Sequence, residues 1–310
     1  MLSEVFNERI SEQAELSALR GVRRACYAGL DSEVLRREVM RRAAPVLDEE
    51  AWMIAGTVPD TGLASHVVSE GIPPEMTRAY FEEIYPAYEA SRTMAPARRR
   101  TTSSVAAARR DVPVEFYSPE YAHLLREHGF TTELRAVLVA DGRQWGIWWA
   151  LREADSPAFG THERRFLRAM IPHLARGLEL AALSRRAMEG GAAAAARGEA
   201  PVAITLDARG RVQVHSAGAA RLAADLADAR AGRTSSGEMP VPPAIASAVA
   251  RLVARYARGA REPVAEPLSA EVRARGHSGR WYRLRAALAE PDARGECVTT
   301  VIAEPSRPVP

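Results

Sequence analysis

The chain contains no lysine; all 42 of its basic side chains are arginine. With the heavy alanine content, this reads as the codon bias of a GC-rich genome, so a pI near 9.1 carries little weight as a nucleic-acid signature. The net charge is only +3, and acids stand between the arginines along the whole chain, which excludes the large single-sign field that draws polyanions. Cysteine is nearly absent. Cys26 and Cys297 lie far apart, which excludes a disulfide framework and reads as two buried thiols of a cytoplasmic protein. No run of 18 uncharged apolar residues exists, so no membrane-spanning helix is expected. The first 25 residues carry four acids and no apolar segment, which argues against a secretory signal.

The signatures of common catalytic sites are missing too. There is no Gly-x-Ser-x-Gly elbow, no phosphate-binding loop and no G-x-G-x-x-G fingerprint. The seven histidines are His66, His123, His128, His162, His173, His215 and His277, and none shares metal-ligand spacing with another His, Cys or acid. His162-Glu163 begins no HExxH motif, because position 166 is Phe. Cys26 has Arg23 and Arg24 beside it; adjacent cations would lower a thiol pKa and leave a nucleophile or a bilin attachment point as one reading, a buried inert thiol as the other.

What is present is globular protein. With 47% hydrophobic and 26% charged residues over 310 positions, the chain has room for two domains, each with its own core. Residues 3–20 read as a helix with Val5, Ile10 and Leu16 among polar neighbours. Asp31 and Glu33 open a second helix whose end is marked by Pro45. Trp52–Val58 and Leu63–Ser69 form a hairpin through Pro59-Asp60-Thr61-Gly62. Pro73-Pro74-Glu75 starts a third helix, carrying Tyr80, Phe81, Ile84, Tyr85 and Tyr88 as an aromatic cluster. Residues 91–113 hold six arginines and no clear period, and are expected to form a long loop. A short helix over 119–128 ends at Gly129. Two strands joined by Asp141-Gly142 follow, then a helix from Thr161, taken as its N-cap, to about Ala187. Gly190-Gly191 and five alanines mark a linker. Beyond it come strands at 202–206 and 211–215, helices at 217–228 and 242–257, and strands near 268–275, 281–288 and 297–303.

The strings GLDSEVLRREVMRRAAPVL, LRAVLVADGRQWGIWWALREADSPAF and THERRFLRAMIPHLARGL resemble the GAF-type sensor of actinobacterial LuxR-type transcriptional regulators. APVAITLDARGRVQVHSAGAARLAADL, GHSGRWYRLRAALAE and VTTVIAEPSRP resemble the PAS-like domain that follows it. The resemblance implies an α+β fold: a GAF-like antiparallel sheet flanked by helices over residues 1–187, a linker over 188–201, a smaller PAS-like α+β domain over 202–305, and a tail over 306–310. In such regulators a helix-turn-helix domain follows. None is expected here, since the chain stops at Pro310 and no helix pair elsewhere suits groove docking.

Alternation places Trp145 and Trp149 on one face of their strand and Trp148 on the other. Such a sensor holds its ligand on the concave side of the sheet, so the expected ligand-binding residues are Trp52, His66, Phe81, Tyr85, Tyr88, Trp145 and Trp149. An aromatic pocket of this kind suits a planar or apolar small molecule, and plain core aromatics are the competing reading. The cofactor is unknown. His66 is a candidate axial haem ligand and also reads as an ordinary surface or core histidine. On the long helix, Phe166, Met170, Leu174 and Leu178 form one apolar stripe; Leu167, Ile171 and Leu183 form a second, expected to meet either the N-terminal helix or another copy, with a homodimer as the expected assembly. The expected function is a small-molecule-sensing module of a transcriptional regulator, cytoplasmic and without a membrane partner. The alternative is a stand-alone enzyme that reuses the pocket, with haem or a metal.

Overall fold

The computed structural model describes residues 2–59, 63–85, 104–109, 119–189, 200–207, 209–226, 241–242, 244–250, 252, 269–288 and 298–306, with side chains omitted over 2–12 and 104–109. Its chain divides into two compact units, one of residues 1–19 and 40–175, the other of residues 20–39 and 176–310. Among the described residues ten strands form two sheets, and each is antiparallel throughout.

In the first unit the strands are β1 (Ala51–Thr57), β2 (Ala64–Glu70), β3 (Ser104–Arg109), β4 (Phe130–Ala140) and β5 (Arg143–Glu153), in the spatial order β2-β1-β5-β4-β3. β1 and most of β5 are buried along their length, as strands covered on both faces must be. The β1–β2 hairpin forms as expected. So does the β4–β5 hairpin, whose turn residues Asp141 and Gly142 have φ of 49° and 69°. Positive φ at both central positions is the two-residue turn that matches strand twist, and Asp-Gly supplies it at least cost. The expectation of a loop over residues 91–113 is corrected in part, because Ser104–Arg109 pairs with β4 as an edge strand. Its alanines have poor strand propensity; pairing to a preformed neighbour overrides them. The remainder of that segment lies outside the described residues.

Helix α1 spans Leu2–Tyr27 and α2 Ser32–Leu47. Asp31 caps α2 by accepting the Glu33 amide at 2.9 Å. Pro45 does not end α2, which runs on to Leu47. The last carbonyls find a side-chain partner instead: Arg152, 3% exposed on β5, donates to Leu47 O at 2.6 Å and Asp48 O at 2.9 Å. It also bonds Pro157 O and pairs with Glu163 at 3.3 Å, with its guanidinium 4.2 Å from the Phe159 ring centroid. Glu163 also accepts the Gly160 amide at 2.9 Å. The long helix α5 (Thr161–Glu189) is therefore capped at Gly160, and Thr161 is its first helical residue rather than its N-cap. Beside Arg152, burial pushes the Glu49 carboxyl up to about 7.

Helix α3 (Pro74–Ala79) widens into a π-helical turn over Tyr80–Ile84, and α4 spans Pro119–Glu127 before Gly129, whose φ is 83°. In α5 both expected stripes are buried: Phe166, Leu167, Met170, Ile171, Leu174, Leu178 and Leu183 are each at most 3% exposed. The stripe assigned to a second copy is thus already covered inside one chain.

The second unit repeats the strand order. β6 (Val202–Leu206), β7 (Val212–His215), β8 (Ser269–Arg275), β9 (Trp281–Leu288) and β10 (Thr299–Ser306) run β7-β6-β10-β9-β8. One face is apolar, with Leu222 of α6 (Ala219–Leu226), Ile245 and Ala248 packed against Ile204, Leu284 and Val301. Alternation puts Arg283, Arg285, Thr300 and Glu304 on the other face. There, buried Glu179 of α5 accepts from both Arg176 and Arg285, and Arg285 lies 3.6 Å from Glu304. Asp225 clamps the β8–β9 turn, accepting from the Ser278 amide, the Ser278 hydroxyl and the Tyr282 hydroxyl, each at 2.7 Å. Burial raises the Asp225 pKa, but these bonds outweigh it and hold the carboxyl below its ordinary value. Cys26 is buried where α1 closely approaches Gly177, and desolvation pushes its thiol far up. The flanking arginines do not activate it, so the inert-thiol reading holds.

Candidate functional site

The first sheet's register decides which side chains meet. Met53 of β1 lies opposite Trp149 of β5, and Trp149 opposite Arg135 of β4, so these three stand in a row on one face. Leu151 and Glu133 pair in the next row on that face. Against it stand α3, its π-helical turn and α4. The result is an aromatic nest around a cavity of about 10 Å³, walled by Met53, Ile72, Met76, Thr77, Tyr80, Tyr121, Trp149 and Leu151. Tyr80 meets Tyr121 at 5.4 Å and Trp149 at 6.0 Å between ring centroids, both edge-to-face. Tyr80 is the first residue of the π-helical turn, and such turns recur at functional sites.

A polar chain borders the nest. Tyr121 donates to buried Glu133 at 3.1 Å, Glu133 accepts from Arg135 at 2.5 Å, and the Arg135 guanidinium lies 5.0 Å from the Trp149 centroid and 5.4 Å from that of Tyr121. Burial, and then the Glu133 charge, hold the Tyr121 hydroxyl well above its ordinary pKa, so it stays a proton donor. The Trp149 indole N–H is buried and finds no acceptor among the described residues. A buried donor without a partner costs about 1–3 kcal/mol, so this one marks where an acceptor would be welcome.

The expected site residues do not all come together. Trp149 lines the cavity. Phe81 and Tyr85 pack with Tyr80 at its border, Phe81 at 5.1 Å and Tyr85 at 6.2 Å, and the Tyr85 hydroxyl accepts the Ala64 amide at 2.8 Å. Trp52 and His66 lie on the opposite face: their neighbours Met53 and Val67 belong to the core around the cavity, and alternation turns Trp52 and His66 away from it. His66 instead has Nδ1 2.8 Å from the Ser65 hydroxyl. Trp145 does not share Trp149's environment as alternation required. It sits at a bulge where Leu138 pairs with Gly146 and Val139 with Gln144, and its indole donates to Ala140 O at 3.3 Å. Tyr88 lies outside the described residues. Trp148 faces the other way and donates to Met40 Sδ at 3.0 Å. Among the described residues, no three His, Cys, Asp or Glu side chains could hold a metal ion, and no helix is long and apolar enough to cross a membrane.

Sequence reasoning missed Tyr121, Glu133, Arg135, Met53 and Met76. A signal existed for two of them, since Glu133 and Arg135 are charges at i and i+2 in a strand that is otherwise apolar. That pattern marks one face as special.

No protein-family model matches the chain, and no curated protein does. Similar solved structures include GAF domains. The GAF domain/HD domain protein from Geobacter sulfurreducens is 15% identical, covers 48% of this chain and 93% of its own, and has a TM-score of 0.36. An N-acylhomoserine-lactone-dependent LuxR-family transcription factor from Burkholderia cenocepacia is 14% identical, covering 55% and 94%, with a TM-score of 0.38. The phycoerythrobilin-bound GAF domain from a cyanobacterial phytochrome is 13% identical, covering 55% and 96%, with a TM-score of 0.37.

Proposed function

We propose that this chain is the small-molecule-sensing part of a cytoplasmic LuxR-type transcriptional regulator, with a GAF-like domain over 1–187, a linker over 188–201 and a PAS-like domain over 202–305. The carrying observation is the aromatic nest on the first sheet, with its unpartnered Trp149 N–H. Its volume, about 10 Å³, is that of one water, whereas even a single aromatic ring needs on the order of 150 Å³. A ligand therefore enters by displacing wall side chains. Met53 and Met76 are adaptable fillers, and Tyr80 rides on a π-helical turn that can revert to α-helix. That makes occupancy and backbone conformation one equilibrium, which is what a sensor requires. The change passes along α5 to the linker. The same strand order in both units supports a repeated α+β module.

The working unit in this reading is a homodimer, built on a surface other than the covered second stripe of α5; light scattering after size exclusion tests it. Native mass spectrometry of the purified chain tests the sensor. A co-purified small molecule that is lost in Met76→Phe, with a lowered melting temperature, is the expected result. A ligand-free protein whose melting temperature is indifferent to Met76→Phe and to a metabolite panel would sink the reading.

A further inference from the structure

The nest has a definite polarity, and it restricts what can bind. No charged side chain lines the cavity. The two charges that border it, Glu133 and Arg135, are paired with each other at 2.5 Å, and the Tyr121 hydroxyl already donates to Glu133. Among the described wall residues, the buried side-chain donor that makes no hydrogen bond is the Trp149 indole N–H, set among methionine, leucine, isoleucine, threonine and tyrosine side chains. Resting on the sensor reading above, we infer that the ligand is an uncharged, largely apolar molecule of about one ring, carrying a single hydrogen-bond acceptor such as a carbonyl oxygen or ring nitrogen that takes the Trp149 N–H.

The argument works by exclusion as well as by fit. A carboxylate or phosphate would be stripped of water to meet one neutral donor, which leaves most of its desolvation cost uncompensated. A pure hydrocarbon fills the space and leaves the indole N–H as orphaned as before. A single trapped water needs two to four polar partners, and the walls offer the indole N–H and the Thr77 hydroxyl, which itself lies 3.5 Å from Pro73 O. Only the uncharged acceptor satisfies the donor and the apolar walls together. The Arg135 guanidinium, 5.0 Å from the indole centroid, polarises the ring and strengthens the bond its N–H can donate.

Three molecules of one shape separate the cases: acetophenone (uncharged acceptor), isopropylbenzene (no acceptor) and benzoate (anion). The readout is the set of five indole N–H resonances of the full chain labelled with ¹⁵N-tryptophan; the Trp149 peak is the one lost in Trp149→Phe. Acetophenone should move that peak downfield, bind about tenfold tighter than isopropylbenzene, and lose that advantage in Trp149→Phe. Isopropylbenzene binding as tightly as acetophenone, with the peak unmoved, overturns the inference and leaves the pocket reading standing. So does benzoate binding tightest. A Trp149 N–H that shows a water cross-peak which no probe displaces also overturns it, since the donor then belongs to a hydration site. If no probe binds and Met76→Phe changes neither ligand content nor melting, inference and sensor reading fall together. The order of the three probes' affinities for the wild type decides the matter even where Trp149→Phe does not fold.

Discussion

Two sheets in this chain have the same strand order and treat buried charge in opposite ways. On the second, Glu179, Arg176, Arg285 and Glu304 form a network in which each charge has an opposite neighbour. On the first, the Glu133–Arg135 pair lies against aromatic rings and beside a donor with no partner. Shared topology thus does not set chemistry. The second arrangement sets its charges against one another, and the first places a buried indole N–H at the wall of an apolar cavity. An unmade bond inside a core is a liability for stability and an opening for a ligand, which is why the first sheet, not the second, is where binding should be sought.

The largest effect should come from opening the charge network. Glu179→Ala leaves Arg285 and Arg176 without their shared partner and should cost about 3 kcal/mol or more, seen as a lower urea midpoint. Trp281→Phe sharpens that measurement, because the remaining tryptophans, Trp52, Trp145, Trp148 and Trp149, all belong to the first unit. Loss of the second unit then registers by circular dichroism ahead of fluorescence.

Next in size is a pH effect confined to the first unit. The Glu49 carboxyl is raised from its ordinary 4.5 to about 7, so the folded state holds its proton more tightly than the unfolded. Its contribution is fully present below pH 4.5 and is lost as pH rises through 7, by up to about 3 kcal/mol. Glu49→Gln should gain on the wild type between pH 5 and pH 8 by that order; an unchanged difference would refute the assignment.

Smaller still, Gly276→Ala would set a methyl 2.2 Å from Asp225 Oδ2 and break the clamp on the β8–β9 turn, at about 2 kcal/mol. Smallest, Gly142→Ala forces a side chain onto a φ of 69° in the β4–β5 turn and should cost about 1 kcal/mol by thermal melting. If Gly142→Ala proved costlier than Gly276→Ala, the ranking of the two hairpins would reverse.

Most elements were legible in the sequence because their signals are local. Asp141-Gly142 sets a hairpin, Gly129 ends a helix, and Phe166, Met170 and Leu174 recur at helical spacing. The β3 strand was not legible, since Ala106, Ala107 and Ala108 carry no strand preference and owe their conformation to β4. The site was half legible. Trp149 and Tyr85 could be picked out as aromatics, but the side of the sheet they occupy depends on pairing. One extra residue at Trp145 shifts alternation on β5, and the β1–β5 register turns Trp52 away while presenting Met53.

The sequence by itself determined that this is an α+β chain whose basic side chains are all arginine, with two successive sets of strands and helices, because composition and short-range periodicity suffice for that. Only the tertiary structure decided that Tyr80, Tyr121 and Trp149 wall a cavity, that Glu133 and Arg135 pair beside it, and that the Trp149 N–H is left over among the described residues. Those are contacts between residues up to 69 positions apart, from Tyr80 to Trp149. Their geometry follows from strand register, a cooperative property of the whole sheet that no local stretch encodes.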